Sequence, residues 1–552
     1  MNNKSKKIIL VLVCIAIISL FLKLYTFDFS IPVHFDNLKY SLDALQYSQG
    51  DYFISQKKNP GWPLFISPFY MMINSENFMD YSNLIRILSI SVSTISIIPM
   101  YLLAKRFFNE KFSLVAVALF AFEPHLNYIS GQGMSESLFI LVFILSIYFI
   151  LKQEIKYIYL SFILAGVFWW IRLEGFYLII ILSIIYFINY KNSKYSLRNF
   201  SICIILFLIV VSPMFIQRDI QYGDPFYVWY GETLFSENYG ILVTSPDNAS
   251  VNKYLEENNF ISFLDRFIVQ GAFNIVENLV KISFPYLIIL IPFGLMFSLR
   301  PVGQKIGFIK SNWIIILTTL AILLIPFSTI ADRRFLFPLF PFLIIFATIP
   351  IQRVVEYGLS TFSFSQAKKN YFLIIVGVLI LILGTIFTLG ITSYGYGAPD
   401  TVLQNEEIQF TEFLYENLDG RLLHTSNEIE FLKYIQVIKL DEGFKSFESF
   451  RGKNPYPDTY SSGKLTQIWV YGNSMEELIE NGKKVGLKYI SYSNNDSYFF
   501  PFFKDNFSKD DQIPYLNKII DAKELGYKKL QTKIFEIDYK EFDLFQKTKL
   551  QK

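Results

Sequence analysis

The feature that most constrains this chain is a series of long apolar runs that fills about its first 390 residues. A helix of about 20 mainly apolar residues can cross a hydrocarbon core of about 30 Å, and about eleven runs meet or approach that length. Since 52% of the 552 residues are apolar, this clustering predicts an α-helical polytopic membrane protein. The runs lie near residues 8–25, 84–104, 112–122, 135–151, 157–171, 176–190, 200–216, 282–299, 313–330, 335–351 and 371–391.

The composition changes near residue 393. Beyond it, segments with helical spacing at 406–417 and 474–485 alternate with short apolar segments at 421–424, 467–471 and 488–491. Helices that alternate with short strands are typical of an α/β domain. The sequence therefore predicts two domains, a transmembrane domain at 1–392 and a soluble α/β domain at 393–552.

Lysine and arginine residues in short loops indicate the orientation in the membrane, because positively charged loops are retained in the cytoplasm. With the N-terminus inside, every second loop is basic. The remaining loops, including 26–83 and 218–281, are then on the outer side, and an odd number of crossings puts the C-terminal domain there too. We expect a multi-pass protein of the cell membrane with a cytoplasmic N-terminus and an extracytoplasmic C-terminal domain.

The overall charge excludes one class of partner and the cysteines indicate no special chemistry. A formal charge of +3 comes from basic residues dispersed along loops, so nucleic-acid binding is not expected. Cys14 and Cys203 both fall inside apolar runs and predict neither a disulfide nor a metal site. His125 has no second histidine near it in sequence, so a metal site is not favoured there.

The stretch 31–65 is the first place to look for chemistry, since it combines acidic, basic and aromatic residues directly after the first apolar run. Asp36 and Asp43 are seven residues apart, which puts both carboxylates on one face of a helix over 34–48. Asp36 is the candidate catalytic residue. For Asp43 the alternative is a solvated carboxylate on an interfacial helix.

Other charged residues gather at the predicted outer ends of membrane helices. An ion at membrane depth is costly unless it is paired or faces water, so their convergence on one side indicates a shared polar cavity. The alternative is that they snorkel to the interface or pair locally. Candidates for binding a donor phosphate are Lys58, Arg172, Arg333 and Arg334. Candidates for other substrate contacts are Tyr40, Asp43, Arg86, His125, Glu136 and Glu174.

At this point the sequence resembles a family. Residues 36–40, DNLKY, with Ala44 are similar to the Asp-Glu-x-x-Tyr-x-x-x-Ala signature in the first outer loop of the GT-C superfamily of membrane glycosyltransferases, in particular the protein O-mannosyltransferase and aminoarabinose lipid A transferase branch. Asn37 replaces the second acidic residue, which leaves Asp36 as the only carboxylate of the signature, and Phe335 stands where the family often has tyrosine. Similar segments follow in the family's order: NPGWPL at 59–64, IRIL at 85–88 through YLLAKRFF at 101–108, SESLF at 135–139, Arg218 through GDPF at 223–226, and RFLFPLFP at 334–341.

This resemblance implies transfer of a hexose or pentose from a polyprenyl-phosphate sugar, within the membrane lipids, to a glycan, lipid or protein acceptor on the outer side. It implies Asp36 as general base for the acceptor hydroxyl. Lys58, Arg172 or Arg334 would stabilise charge on the leaving phosphate. A lipid-monophosphate donor needs no metal to neutralise a diphosphate, so no cofactor is implied. A divalent cation is left open, since a lipid-diphosphate donor would reopen the question.

Two other classes of function stay open at this point. A polytopic transporter of a lipid-linked or small polar substrate would also need many helices, but it predicts charges near mid-membrane and an internal repeat. A membrane-anchored surface protein would need fewer helices. The C-terminal domain is a hypothetical acceptor-binding domain because of its expected outer location.

Overall fold

The computed structural model describes most of the chain, including residues on both sides of residue 393. Parts of two predicted strands, at His424 and Tyr471, lie outside the described residues. The described residues are 3–52, 58–190, 196–228, 232–235, 251–300, 306–390, 400–423, 429, 431–440, 443–446, 465–468, 470, 472–493, 502–503 and 513–550.

The part before residue 390 is built from helices. The first eleven α-helices are α1 (Asn3–Thr26), α2 (Phe35–Ser48), α3 (Gly61–Tyr70), α4 (Phe78–Ile95), α5 (Ile97–Ala104), α6 (Glu110–Ala121), α7 (Pro124–Gly131), α8 (Glu136–Ile150), α9 (Ile155–Ile171), α10 (Tyr177–Tyr190) and α11 (Ser196–Tyr222). The next eight are α12 (Val251–Glu257), α13 (Phe260–Leu264), α14 (Gly271–Ile282), α15 (Leu287–Ser298), α16 (Ile306–Thr329), α17 (Phe340–Arg353), α18 (Leu359–Thr361) and α19 (Gln366–Thr388). Short 3-10 segments cover Leu173–Phe176, Glu232–Phe235 and Arg333–Leu339, and π-helical turns cover Asp265–Gln270 and Val354–Gly358.

Seven helical stretches among the described residues are long and apolar enough to cross a membrane. The count rises to nine if each of two bent pairs, α6 with α7 and α13–α14 with α15, is one span. The predicted runs at 135–151 and 157–171 form α8 and α9, which are apolar but shorter. Each predicted run thus contains a helix, and the number of crossings stays a prediction.

Polar side chains fix where several of these helices begin. The Asn77 side chain accepts a hydrogen bond from the Met79 amide (3.0 Å) and caps α4, and the Asn109 side chain accepts one from the Lys111 amide (3.1 Å) and caps α6. At the break between α6 and α7, Glu123 accepts one from the Leu126 amide (2.7 Å). Such caps satisfy amides that have no partner inside the helix. The bend of 51° between α6 and α7 is therefore stabilised by the Glu123 cap.

The span 333–361, which contains α17, lies at the centre of the helical part. Its whole apolar window is buried inside the protein, compared with 22% for the span containing α1. Aromatic rings pack around it, for example Phe143 against Phe342 with ring centroids 4.8 Å apart. Helices that are apolar on every side and enclosed by protein belong to a core. The short helices α2 and α3 lie at one end of this bundle, where Ser41 Oγ is 2.6 Å from the Tyr70 hydroxyl.

The part after residue 400 contains a mixed five-stranded sheet. Its strand order is β2-β1-β3-β5-β4, with β1 parallel to β2 and β3, and β5 antiparallel to β3 and β4. The adjacent residues Leu422 and Leu423 belong to separate apolar clusters, because successive side chains of a strand point to opposite faces. The elements are α20 (Thr401–Asn417), β1 (Gly420–Leu423), α21 (Leu432–Ile438), β2 (Leu465–Ile468), α22 (Met475–Lys484), β3 (Leu487–Tyr492), β4 (Leu516–Asp521), β5 (Lys533–Ile537) and α23 (Tyr539–Leu550).

The fold class predicted from the sequence, an α-helical polytopic membrane protein with a C-terminal α/β region, is confirmed. Helix α20 contains the predicted helix at 406–417, α22 lies within the one predicted at 474–485, and β3 contains the strand predicted at 488–491. Strands β4 and β5 were not predicted. The domain boundary at residue 393 and the side of the membrane stay predictions.

Candidate functional site

Helix α2 presents Asp36 in its first turn. A carboxylate there is stabilised by the unpaired amides and the positive end of the helix dipole. The loop before α2 is held by Arg86, which donates to the Asp28 carbonyl (3.0 Å) and the Ile31 carbonyl (2.7 Å). These contacts hold the loop that leads into α2, and they thereby fix the backbone position of Asp36.

Asp36 lies between two cationic side chains that are distant in sequence. The Lys58 ammonium contacts Oδ1 of Asp36, and the Arg334 guanidinium lies 3.4 Å from Oδ2. The Asp36 side chain is 36% exposed, so the cluster opens toward solvent. The structure therefore brings together three of the residues that the sequence singled out.

The two cations control the ionisation of Asp36. Burial alone would raise the pKa of Asp36, but Lys58 and Arg334 outweigh it and hold the pKa below its usual range. For Lys58 the opposite balance applies, since burial lowers its pKa and Asp36 offsets only part of that effect. Asp36 is thus an ionised carboxylate at neutral pH, with both oxygens in contact with positive charge.

The turn after Lys58 is anchored to helices α9 and α11. Asn59 donates to the Trp169 carbonyl and accepts a hydrogen bond of 2.6 Å from Arg218. A Cβ atom on Gly61 would lie only 2.6 Å from the carbonyl carbon and oxygen of Trp170, so only glycine fits this close approach. The position of Lys58 therefore depends on a backbone contact that no larger residue allows.

Arg334 is supported by its own segment. It lies in the 3-10 segment Arg333–Leu339, where Asp332 accepts hydrogen bonds from the Arg334 backbone amide (2.9 Å) and from its Nε (2.8 Å). Arg333 is half-buried beside it. Because Arg334 contacts both Asp332 and Asp36, its guanidinium is oriented before any ligand binds.

Arg172 forms a second charged cluster close to the first. It donates to the carboxylates of Glu136 and Glu174, which are both buried. Among the described residues, Oε2 of Glu136 is buried without a hydrogen-bond partner. The positive charge of Arg172 still acts on Asp36, but two carboxylates already neutralise it. Its direct role as a phosphate ligand stays a prediction.

Tyr40 and Asp43 lie farther along α2. The ring of Tyr40 is under the Lys58 ammonium, with 5.3 Å from the nitrogen to the ring centroid, and a cation over an aromatic face is attracted to it. Asp43 is buried and forms an ion pair of 2.9 Å with Lys39. Burial raises the pKa of Asp43, while Lys39 opposes this effect.

Two predicted substrate-binding residues have local partners in the structure. Arg86 is buried and donates to backbone carbonyls, as described above. His125 is buried with its Nδ1 2.9 Å from a Glu123 carboxylate oxygen, and its ring lies near Phe337 and Phe340. Substrate contacts by Arg86 and His125 stay predictions.

One residue near the site was not indicated by the sequence. Lys433, on α21 of the C-terminal part, interacts electrostatically with Lys58, Asp36 and Lys39. No motif or apolar pattern marked this lysine, and about 400 residues separate it from Asp36. Only the folded chain brings it to the site.

The residues around Asp36 do not fit a divalent cation as they stand. Both carboxylate oxygens of Asp36 contact cationic side chains, and the carboxylates of Asp332 and Glu136 are paired with Arg334 and Arg172. Among the described residues, no group of three His, Cys, Asp or Glu side chains could hold a metal ion. The cluster instead places preoriented cations beside one partly exposed carboxylate, an arrangement that can bind an anion.

Comparison with known proteins starts from the sequence. Residues 58–216 match the family model described as "Dolichyl-phosphate-mannose-protein mannosyltransferase". No curated protein sequence matches the chain significantly. The matched segment begins at Lys58 and contains Glu136, Arg172 and Glu174.

Solved structures of similar fold cover most of the chain. The oligosaccharyltransferase of Archaeoglobus fulgidus, in complex with zinc and sulfate, is 14% identical with a TM-score of 0.55, over 87% of this chain and 67% of that one. The oligosaccharyltransferase AglB from Archaeoglobus fulgidus, in complex with an inhibitory peptide and a dolichol-phosphate, is 13% identical with a TM-score of 0.55, over 89% of this chain and 70% of that one. ArnT from Cupriavidus metallidurans, bound to undecaprenyl phosphate, is 9% identical with a TM-score of 0.52, over 96% and 97%.

These similarities bear on the expectations from the sequence. The resemblance to the GT-C superfamily, with its O-mannosyltransferase and aminoarabinose transferase branch, is confirmed by the family match and the structures. The transporter alternative receives no support from them. At identities below 25% the solved structures establish the fold, and the activity follows as a proposal.

Proposed function

We propose that this chain, which has the fold of the GT-C membrane glycosyltransferases, transfers a sugar from a polyprenyl-phosphate donor to an acceptor at the outer face of a membrane. The observation that carries the proposal is the contact of Lys58 and Arg334 with Asp36 at one end of the helical bundle. Cations and a carboxylate at one point are what transfer from a phosphate leaving group to a hydroxyl requires.

The cations would bind the donor phosphate. Charge grows on the phosphate oxygens as the bond to the sugar breaks, and preoriented cations stabilise this charge without reorganising. Lys58 and Arg334 are the main phosphate ligands in this proposal, because one is fixed by the turn at Gly61 and the other by Asp332. Arg172 and Arg333 supply further positive charge, with Arg172 oriented by Glu136 and Glu174.

Asp36 would act as general base. Before the donor binds, its carboxylate is held by two cations, which makes it a weak base. A donor phosphate competes for the same cations, so the pKa of Asp36 rises when the donor is in place. The carboxylate then accepts the proton of the acceptor hydroxyl as that oxygen attacks the anomeric carbon, and the phosphate leaves with the bonding electrons. Binding of the donor thus activates the base.

A lipid-linked donor also agrees with the setting of the site. Asp36 and Lys58 lie outside the membrane-spanning stretches, and Arg334 lies at the very start of one. A phosphate there keeps contact with water and cations while its polyprenyl chain lies among apolar helices. An outer location of the acceptor and an extracytoplasmic C-terminal domain are parts of the proposal.

The test is sugar transfer by the purified full-length chain in liposomes. Labelled polyprenyl-phosphate sugars are offered with native membranes as the source of acceptor, and nucleotide sugars serve as the control donors. We expect transfer only from polyprenyl-phosphate donors. In Lys58→Met, loss of a preoriented cation should lower transfer by about 100-fold or more, with a smaller loss in Lys58→Arg. Transfer from nucleotide sugars alone, or equal activity of Lys58→Met, would contradict the proposal.

A further inference from the structure

Helix α21 of the C-terminal part packs directly onto the outer end of the helical bundle. The ring of Phe431, just before α21, lies 4.9 Å from the ring of His34, which immediately precedes α2. Tyr434 on α21 contacts Phe78 at the start of α4, with centroids 5.8 Å apart. Val437 is buried in the same apolar cluster as the membrane helices. Helix α21 is therefore part of the wall around α2.

A second set of contacts fixes the same interface. Phe444, beyond α21, packs against Phe78 and Tyr81 of α4, with ring centroids 5.5 and 5.8 Å apart. The Lys445 ammonium lies 2.6 Å from a Glu76 carboxylate oxygen. Aromatic packing of this kind adds to the area that is buried. Contacts on both sides of Lys433 along the chain therefore hold this residue in place.

The position of Lys433 follows from this docking. It lies between Phe431, which contacts His34, and Tyr434, which contacts Phe78, and His34 is two residues before Asp36. The Lys433 side chain is solvent accessible. It interacts electrostatically with Lys58, Asp36 and Lys39. A lysine from a distant part of the chain is thus added to a cluster that already contains several cations.

The charges of this cluster indicate an anionic partner. Lys58 and Arg334 both contact Asp36, Arg334 is also paired with Asp332, and Lys39 is paired with Asp43. Another lysine near Lys58 and Lys39 raises the repulsion among like charges, and a bound anion between them relieves it. We propose that Lys433 is part of the substrate site and binds an anionic group, a phosphate or a carboxylate, of the donor or the acceptor.

This inference rests on the proposed function and makes the C-terminal part a contributor to the substrate site. If the anion is the donor phosphate, Lys433 adds to the ligands supplied by the helical bundle. If it belongs to the acceptor, Lys433 selects acceptors that carry a negative charge. Both sources share one chemistry, an oxyanion bound by an ammonium group, and experiment separates them.

The test compares Lys433→Gln and Lys433→Arg in the full-length chain with a matched control, Lys439→Gln. Lys439 follows α21 at its C-terminal end and pairs with Glu412 and Glu416 on the same part of the chain. Binding of undecaprenyl phosphate is measured in detergent by thermal shift, with undecaprenol as the neutral control lipid. Transfer is measured with labelled polyprenyl-phosphate sugars and native membranes, and all variants are compared at equal amounts of folded protein.

Each outcome is informative. Binding of undecaprenyl phosphate that is weaker by about tenfold in Lys433→Gln, with recovery in Lys433→Arg and unchanged undecaprenol binding, assigns Lys433 to the donor phosphate. Unchanged lipid binding with about tenfold weaker transfer assigns it to an anionic acceptor. If Lys433→Gln matches Lys439→Gln in both assays while the wild-type chain is active, the inference is overturned and the proposed function stands. A wild-type chain that neither binds nor transfers overturns the proposed function itself.

Discussion

The Arg334 guanidinium lies 3.4 Å from the Asp36 carboxylate, although 298 positions separate the two residues in sequence. Asp36 lies in the first turn of a short helix outside the membrane spans, and Arg334 lies at the start of the most deeply buried span. The contact therefore joins a loop element to the core of the bundle. Each of the following predictions tests a part of this arrangement.

Removing the carboxylate of Asp36 should abolish most transfer. We expect Asp36→Asn to lower the rate by about 100-fold or more, the usual contribution of a general base. Binding of undecaprenyl phosphate should be retained or tightened, because Lys58 and Arg334 lose their competing carboxylate. The measurement is transfer rate and lipid binding side by side. Asp51→Asn, in the same stretch of residues 31–65, is the control, and equal activity of Asp36→Asn and Asp51→Asn would remove Asp36 from the mechanism.

The ion pairs of Asp36 should make stability depend on acid pH in a predictable direction. The pKa of Asp36 is lowered by Lys58 and Arg334 against the effect of burial, so the pairing stabilises the folded state above the ordinary pKa of an aspartate, about 3.9. This contribution is lost as the pH falls below that value toward the lowered pKa. The difference in Tm between wild type and Asp36→Asn should therefore shrink below about pH 4. A difference that is constant from about pH 7 to pH 3 would contradict the pairing.

The buried ion pair of Arg172 with Glu136 should matter for stability. Both side chains are largely buried, at 12% and 1% exposure. Glu136→Gln leaves Arg172 with Glu174 alone, and we expect a loss of about 3 kcal/mol in unfolding free energy. The measurement is denaturation in detergent. Glu154→Gln, which disrupts the exposed pair of Glu154 with Lys156, should change stability by less than about 1 kcal/mol, and equal effects of the two substitutions would refute the prediction.

Adding one methyl group at Gly61 should displace the turn that positions Lys58. A Cβ there would meet the Trp170 carbonyl at 2.6 Å, so the turn or helix α9 must shift, at a cost of about 1–3 kcal/mol. Because Lys58 lies in the same turn, Gly61→Ala should lower both Tm and transfer. Gly377→Ala is the matched control, since a Cβ at Gly377 meets no atom within 4 Å. Unchanged Tm in Gly61→Ala would show that the turn can relax.

Much of the architecture could be predicted from sequence because it depends on local patterns. Each apolar run contains a helix, and the carboxylate at Asp36 was indicated by its position after the first run. Strand β4 was missed because only two of its six side chains are buried, which weakens the apolar pattern. Strand β5, in which three of five side chains are buried, was also missed, and exposure does not account for that. The length and alternation of an apolar pattern reflect how much of a strand is buried, and the partly exposed β4 gives only a weak pattern.

The pairing within the site could be predicted only in part. Charges at one end of several helices indicated that Arg172, Glu136 and Arg334 converge, but not that two carboxylates neutralise Arg172. The electrostatic influence of Asp36 on Lys433 depends on how α21 packs on α4. Contacts of this kind are set by tertiary packing between elements far apart in sequence, for which a single sequence carries no local signal.

The complete burial of the apolar window within the span 333–361 has a consequence for how the protein responds to its lipid environment. Helices that face lipid tilt or shift when bilayer thickness changes. The helix that follows Arg334 is surrounded by other helices, so such a change reaches it only through its neighbours. Arg334, the proposed phosphate ligand, is thus insulated from membrane composition, while the lipid-facing helices at the periphery absorb the mismatch.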